Sequence, residues 1–284
     1  MNKKFFIETE LTKDQIAIFY LGQVGFIFKY RGKYILIDGY LSDYVDRNCN
    51  TDKVKWVRRY PSPISASELD FIDYIFCTHA HFDHADPYTL SQIVEVNQKA
   101  KYIVSSAIAD TVLKYGVPQN KIIGVKCDEK LALDNDICVT AIPAAHEELH
   151  LTDDGSYLEV GFKFKLGKNV IFHGGDGCPY DGLEDRISGC DILMLPVNGR
   201  DYYRRNICDI IGCFDSREAA IIAKNCRADL LIPTHFDLYD VNSINPAQFV
   251  DTLHSVNPHQ KFHIFMPGER FIYEKQQFDK IIIK

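Results

Sequence analysis

The sequence predicts one α/β domain over residues 1–284, and three observations carry that prediction. Short runs rich in Ile, Phe and Tyr crowd the N-terminal part. Helix-spaced apolar runs then alternate with strand-like ones. No low-complexity segment, repeat or long Ser/Gly/Pro tract divides the chain. With 284 residues and 46% hydrophobic content, there is enough apolar material for a full core.

Taken in order, "QIAIFYLG", "GFIFKYRGKYILIDGYL" and "YIFCTH" read as strands, with "YRGKY" as a hairpin turn. "DPYTLSQIVEVNQ" and "SSAIADTVLKYGV" have helical spacing and flank the strand-like "KYIVS". Strands continue through "ICVTAIPAAH", "YLEVGFKFKLG", "NVIFHGGD", "CDILMLPV" and "ADLLIPTH". The helix between the last two begins "DSREAAIIAKNC", where Asp215 and Glu218 fit a capping box. "NPAQFVDTLHSV" places Pro246 in a first helical turn, which tolerates proline. Pro61 and Pro63 make "VKWVRRYPSP" an irregular excursion, a lid or an oligomer contact around Trp56.

Composition excludes several classes. A formal charge of −7 argues against a general nucleic-acid or anionic-membrane binder. Nine scattered cysteines without a C-x-x-C pair point to free thiols in a reducing compartment. The apolar patch near the N-terminus is cut by Glu8 and Glu10, unlike a signal peptide. No run approaches the roughly 18 apolar residues of a membrane span. A soluble cytoplasmic protein is expected.

The chemistry concentrates at strand ends. "CTHAHFDHADP" follows an apolar strand and sets His79, His81, Asp83 and His84 within one short loop. Other apolar runs end in His146, Asp176 and His235. Side chains at the ends of neighbouring strands can converge, and loops on a rigid scaffold are where chemistry is placed. Imidazole nitrogen and carboxylate oxygen suit zinc, manganese or iron, so one or two divalent ions are expected, with manganese or zinc foremost. His173 reads as a supporting or core histidine; His150, Asp153 and Asp154 read as pocket-lining, and His254, His259 and His263 as structural.

H-x-H-x-D-H, a distant histidine, an aspartate in a G-D pair and a last histidine together resemble the metallo-β-lactamase superfamily, in order from Asp38 to His235. The resemblance implies a four-layer αββα sandwich with the site at the edge between its sheets. It implies that His79, His81 and His146 form one metal site, that Asp83, His84 and His235 form a second, and that Asp176 bridges them. Asp83 would orient the nucleophile or move a proton, with Asp38 behind the ligands as a hydrogen-bond partner. Two ions can hold a hydroxide and polarise a substrate oxygen. "YLGQVGFIFKYRGKYILIDGYLSD", "THAHFDHADP", "TDDGSYLEVGFKFKLGKNVIFHGGD", "IPTHFDLY" and "FMPGER" are similar to the L-ascorbate-6-phosphate lactonase branch. That branch implies hydroxide attack on the ester carbonyl of a phosphorylated sugar lactone, in a homo-oligomer.

Arg200, Arg204 and Arg205 cluster in "NGRDYYRRNICD" beside Tyr202 and Tyr203. Guanidinium forks match phosphate oxygens, so these three are candidate ligands for a small phosphorylated metabolite. A solvated loop or subunit contact is the competing reading. A phosphodiesterase of the same fold and a non-enzymatic metal-binding protein are the alternative functions.

Overall fold

The computed structural model describes residues 2–275. Six strands run through the first half: β1 (Ile16–Gly22), β2 (Gly25–Tyr30), β3 (Lys33–Ile37), β4 (Tyr74–Cys77), β5 (Lys101–Ser105) and β6 (Ile122–Val125). The second half adds β7 (Lys130–Asp134), β8 (Ile137–Pro143), β9 (Val160–Leu166), β10 (Asn169–His173), β11 (Ile192–Pro196), β12 (Leu230–Thr234) and β13 (Lys261–Phe262). β14 (Arg270–Tyr273) then returns to pair with β1, so the two seven-stranded sheets are ordered β14-β1-β2-β3-β4-β5-β6 and β13-β12-β11-β10-β9-β8-β7.

The sheets share one plan. β14 to β3 are antiparallel neighbours, and β3 to β6 are parallel. In the other sheet β13 to β10 are parallel, and β10 to β7 antiparallel. The β2–β3 hairpin turns where "YRGKY" places it, with Arg31 and Gly32 at φ 47° and 74°, a pair of positive values that suits a two-residue turn.

Alternation along the strands builds the layers, because successive side chains point to opposite faces. Ile18, Tyr20, Phe26, Phe28, Ile35 and Ile37 face inward and meet Phe162, Phe164, Ile171 and Met194 of the other sheet. Phe76 contacts Phe162 across this interface edge-to-face, at 4.9 Å between centroids. The intervening residues Phe19, Ile27, Leu36 and Ile75 lie under Leu90, Ile93 and Val112 of helices Pro87–Val96 and Ala109–Lys114. On the far side Leu193, Leu195 and Leu231 are covered by Ala219, Ala223, Phe249 and Leu253 of helices Ser216–Asn225 and Pro246–Val256. The result is the four-layer helix–sheet–sheet–helix sandwich that the resemblance implies.

Local signals explain the element ends. Asp215 and Glu218 form the reciprocal capping box, and Pro246 opens its helix. The helix in "SSAIADTVLKYGV" is shorter than its spacing suggests, because Ser106–Ile108 forms a separate tight turn first. β6 and β7, both sheet-edge strands, carry no prediction; their half-exposed residues give only weak alternation. Among the described residues no helix is long and apolar enough to cross a membrane.

This arrangement places the chemistry. Asp38, His79, Asp176 and His235 follow the C-terminal ends of β3, β4, β10 and β12, and His146 follows β8. Two cross-links tie the sheets at that rim: Val160 N–H donates to Thr78 O, and His235 N–H donates to Gln23 O.

Candidate metal centre

The seven residues expected as ligands come together at the rim. His79, His81, His146 and Asp176 offer ligand atoms all within 4.8 Å of one another, and Asp83, His84 and His235 do the same. Asp176 stands between the groups: its Oδ1 is 3.2 Å from His84 Nε2 and its Oδ2 is 3.3 Å from His235 Nε2. Asp83 Oδ2 lies 3.5 Å from His235 Nε2 and 3.7 Å from His84 Nε2.

Hydrogen bonds fix which nitrogen each ring turns inward. His84 Nδ1 is 2.8 Å from Asp38 Oδ2, and His146 Nδ1 is 2.9 Å from the Asp176 carbonyl. Both partners only accept, so the rings donate from Nδ1 and leave Nε2 pointing inward. Thr78 Oγ1 donates to Asp38 Oδ2 at 2.8 Å and stands 3.0 Å from His79 Nδ1. Asp38 is fully buried, with a left-handed backbone (φ 45°), and takes the Thr78 N–H on its other oxygen. It therefore sits behind His84 as a hydrogen-bond partner of the ligand set.

The charge pattern follows from burial and neighbours. Burial holds His79 well below the ordinary imidazole range, and His84 and His81 add to that effect. Burial also lowers His146, to about 4. For His235 burial pulls down too, but Asp176 and Asp83 overcome it and lift the ring to about 9. His84 is likewise raised against burial, by Asp176, Asp83 and Asp38. Burial would raise Asp83 and Asp176, yet His84 and His235 hold both below the usual carboxylate range. The two carboxylates and the two raised imidazoles thus hold one another in their charged forms.

The residues fit a metal. Among the described residues nine buried side-chain atoms lack a hydrogen-bond partner; three of them, His79 Nε2, His84 Nε2 and Asp176 Oδ1, lie in this cluster, the last two 3.2 Å apart. Unpaired buried polar atoms cost about 1–3 kcal/mol each, so a cluster of them at one point calls for a ligand. Imidazole and carboxylate without thiolate is a donor set for zinc, manganese or iron.

A cavity of about 240 Å³ opens over the cluster, lined by His81, Asp83, His146, Asp176 and His235. Val45, Trp56, Phe82, Ile210, Ile211 and Tyr239 also line it, with Cys49, Asp209 and Asn242. Trp56 is therefore a wall residue of this cavity.

The arginine cluster does not join the site. No arginine lines the cavity. Arg204 donates to the carbonyls of Val241 (2.9 Å), Ser243 (2.5 Å) and Asn198, and pairs with Asp201 at 3.3 Å. Arg200 donates to Cys213 O at 2.8 Å and grips both Glu218 oxygens. Arg205 is exposed and pairs with Glu147 at 2.9 Å. Protein acceptors engage the guanidinium groups of Arg200, Arg204 and Arg205, the residues expected to hold phosphate.

Other expectations resolve as follows. His150 is exposed and pairs with Glu159 at 3.1 Å, while Asp154 is bound within its own turn by Thr152 and Ser156. His173 is a core histidine, with Nε2 2.8 Å from Val24 O. His263 pairs with Glu269 at 2.7 Å. Sequence reasoning missed Thr78, which adjoins the motif, and Gln23, whose Nε2 is 3.0 Å from Asp83 Oδ2. The available signal for Gln23 was a polar residue at the tip of a hairpin between two largely apolar strands.

Known proteins resemble this chain in sequence and fold. A family model described as the beta-lactamase superfamily domain matches residues 33–236. A UPF0173 metal-dependent hydrolase of Caldivirga maquilingensis is 28% identical over 255 residues, 88% of this chain and 95% of that protein. Among solved structures, Igni18, a metallo hydrolase from Ignicoccus hospitalis, superposes with a TM-score of 0.66 at 19% identity, over 92% of this chain and 100% of that one. The metallo-beta-lactamase fold protein YhfI from Bacillus subtilis gives the same TM-score, 0.66, at 17% identity and the same coverage, 92% and 100%. At these identities the structural likenesses establish the fold.

Proposed function

This chain belongs to the beta-lactamase superfamily, and we propose that this metal-dependent hydrolase opens a small lactone or ester whose acyl part is uncharged. The observation that carries the reading is the cavity wall. Its apolar lining is Val45, Trp56, Phe82, Ile210 and Ile211, with no lysine or arginine among the lining residues. Asp209, held at φ 59°, adds negative charge there and disfavours a substrate carrying an anionic group away from the cluster. Arg200, Arg204 and Arg205, the residues expected to favour a phosphorylated substrate, are not among the lining residues.

His79, His81 and His146 would hold one ion, and Asp83, His84 and His235 the other, with Asp176 shared between them. Bound there, zinc, manganese or iron supplies a Lewis acid and lowers the pKa of a coordinated water towards 7. The chain's own residues do the rest. Asp83, kept ionised by His84 and His235, accepts the proton of the attacking water and returns it to the leaving alkoxide. Asp38 and the Asp176 carbonyl hold His84 and His146 in the tautomers that leave Nε2 free. Trp56, Phe82 and Ile210 shield the reacting carbonyl from bulk water and seat the apolar part of the substrate.

The test is a rate comparison on protein stripped of metal and reloaded with manganese or zinc. A neutral aliphatic lactone should be hydrolysed with kcat/KM at least about tenfold above that for L-ascorbate-6-phosphate, a preference of about 1.4 kcal/mol. Preference for the phosphorylated lactone would overturn the uncharged-substrate reading. Turnover confined to bis-p-nitrophenyl phosphate would replace it with the phosphodiesterase.

A further inference from the structure

Gln23 sits at the hairpin tip between β1 and β2 and is 2% exposed. Its carboxamide Nε2 lies 3.0 Å from Asp83 Oδ2 and 3.1 Å from His235 Nε2. Its carbonyl accepts the His235 N–H at 2.8 Å. Its own N–H donates to the Tyr60 hydroxyl and to Asp237 Oδ1, both at 3.2 Å. Gln23 and His235 both have left-handed backbones, at φ 58° and 56°. Residues with a β-carbon keep that conformation where surrounding contacts hold it, and such residues gather at functional sites.

These ligand contacts fall on one side of the cluster. Asp83 and His235 belong with His84, whereas His79 and His146 are oriented by Thr78 and by the Asp176 carbonyl. We infer that Gln23 is a positioning residue for the Asp83, His84 and His235 group, and that its amide sets how tightly this group holds its ion without altering the other group. The physical basis is preorganisation. An amide N–H on Oδ2 fixes the Asp83 carboxylate in one orientation, and its removal frees that carboxylate to rotate. The inference rests on reading the cluster as a two-ion site.

Gln23→Met keeps the length of the side chain and the backbone contacts of residue 23 but removes both amide hydrogens. Calorimetric titration of the metal-free protein with Mn²⁺ or Zn²⁺ reads the two groups as separate steps. The tighter or looser step assigned to Asp83, His84 and His235 is identified by its loss in Asp83→Ala. In Gln23→Met that step should weaken about tenfold or more, while the other stays unchanged. Gln23→Asn, whose amide is one methylene shorter and which tolerates a left-handed backbone, should show the same selective loss and serves if the Met variant fails to fold. Equal weakening of both steps, no change in either, or a single step in the wild type would overturn the inference. A wild type that takes up no ion would overturn the two-ion reading together with it.

Discussion

Two loops carry dense polar clusters just beyond strand ends, and they resolve in opposite ways. In the loop after β4, His79 and His84 turn buried Nε2 atoms toward one point with no hydrogen-bond partner. In the loop after β11, Arg204 reaches the carbonyls of Asn198, Val241 and Ser243, and Arg200 closes on Glu218 and Cys213 O. Both loops look functional as strings of residues. The difference lies in the partners: buried ring nitrogens of the histidine loop lack one, whereas the guanidinium groups of the arginine loop reach protein acceptors. Ile210 and Ile211, just after the arginine loop, line the same cavity as His81 and Asp83 of the histidine loop.

The largest effect that would break this contrast concerns Asp176, which touches both ligand groups. Asp176→Asn should lower metal-dependent hydrolysis by about a thousandfold or more, with reduced metal content by elemental analysis, because one change removes a charge that both groups share. Retained activity would mean that the unpaired atoms do not mark the site. Arg204→Met should act on the other side of the comparison. It leaves three carbonyls unpaired and should cost about 2–4 kcal/mol in denaturant unfolding, while KM stays near wild type. A large KM effect without loss of stability would return Arg204 to the substrate.

A pH titration sharpens the histidine side. In the metal-free protein Asp176 and Asp83 keep a proton on His235 up to about 9, against the pull of burial, and a metal needs that nitrogen bare. Metal affinity should therefore climb as pH rises towards 9, by up to about tenfold per unit for each proton displaced. Calorimetry in buffers of different ionisation enthalpy should detect the released proton. Uptake without proton release below pH 8 would contradict the charge pattern. The smallest effect is expected for Arg200→Ala. It should destabilise by about 1 kcal/mol through the lost Glu218 pair and shift KM equally for phosphorylated and unphosphorylated substrates. A shift confined to the phosphorylated one would restore the phosphate role.

How much of this was legible follows from where each partner lies in the chain. His79, His81, Asp83 and His84 are adjacent, and each of His146, Asp176 and His235 closes an apolar run, so local sequence exposes them. Individual strands were legible for the same reason, since β1, β2, β11 and β12 are nearly continuous apolar stretches, while their grouping into two sheets came from the resemblance. Arg204 could not be read, because two of the carbonyls that satisfy it belong to Val241 and Ser243, brought near only by the fold. Gln23 was hidden similarly: it is 60 residues from Asp83 and 212 from His235. Contacts between distant backbone atoms leave no pattern in residue types.

The most direct measurement is anomalous diffraction at the metal absorption edge from crystals of the protein loaded with Zn²⁺ or Mn²⁺. Two peaks should appear, one against His79, His81 and His146 and the other against Asp83, His84 and His235, with Asp176 between them. Peaks elsewhere, or none in crystals shown to contain metal, would contradict the assignment of this cluster as the metal centre.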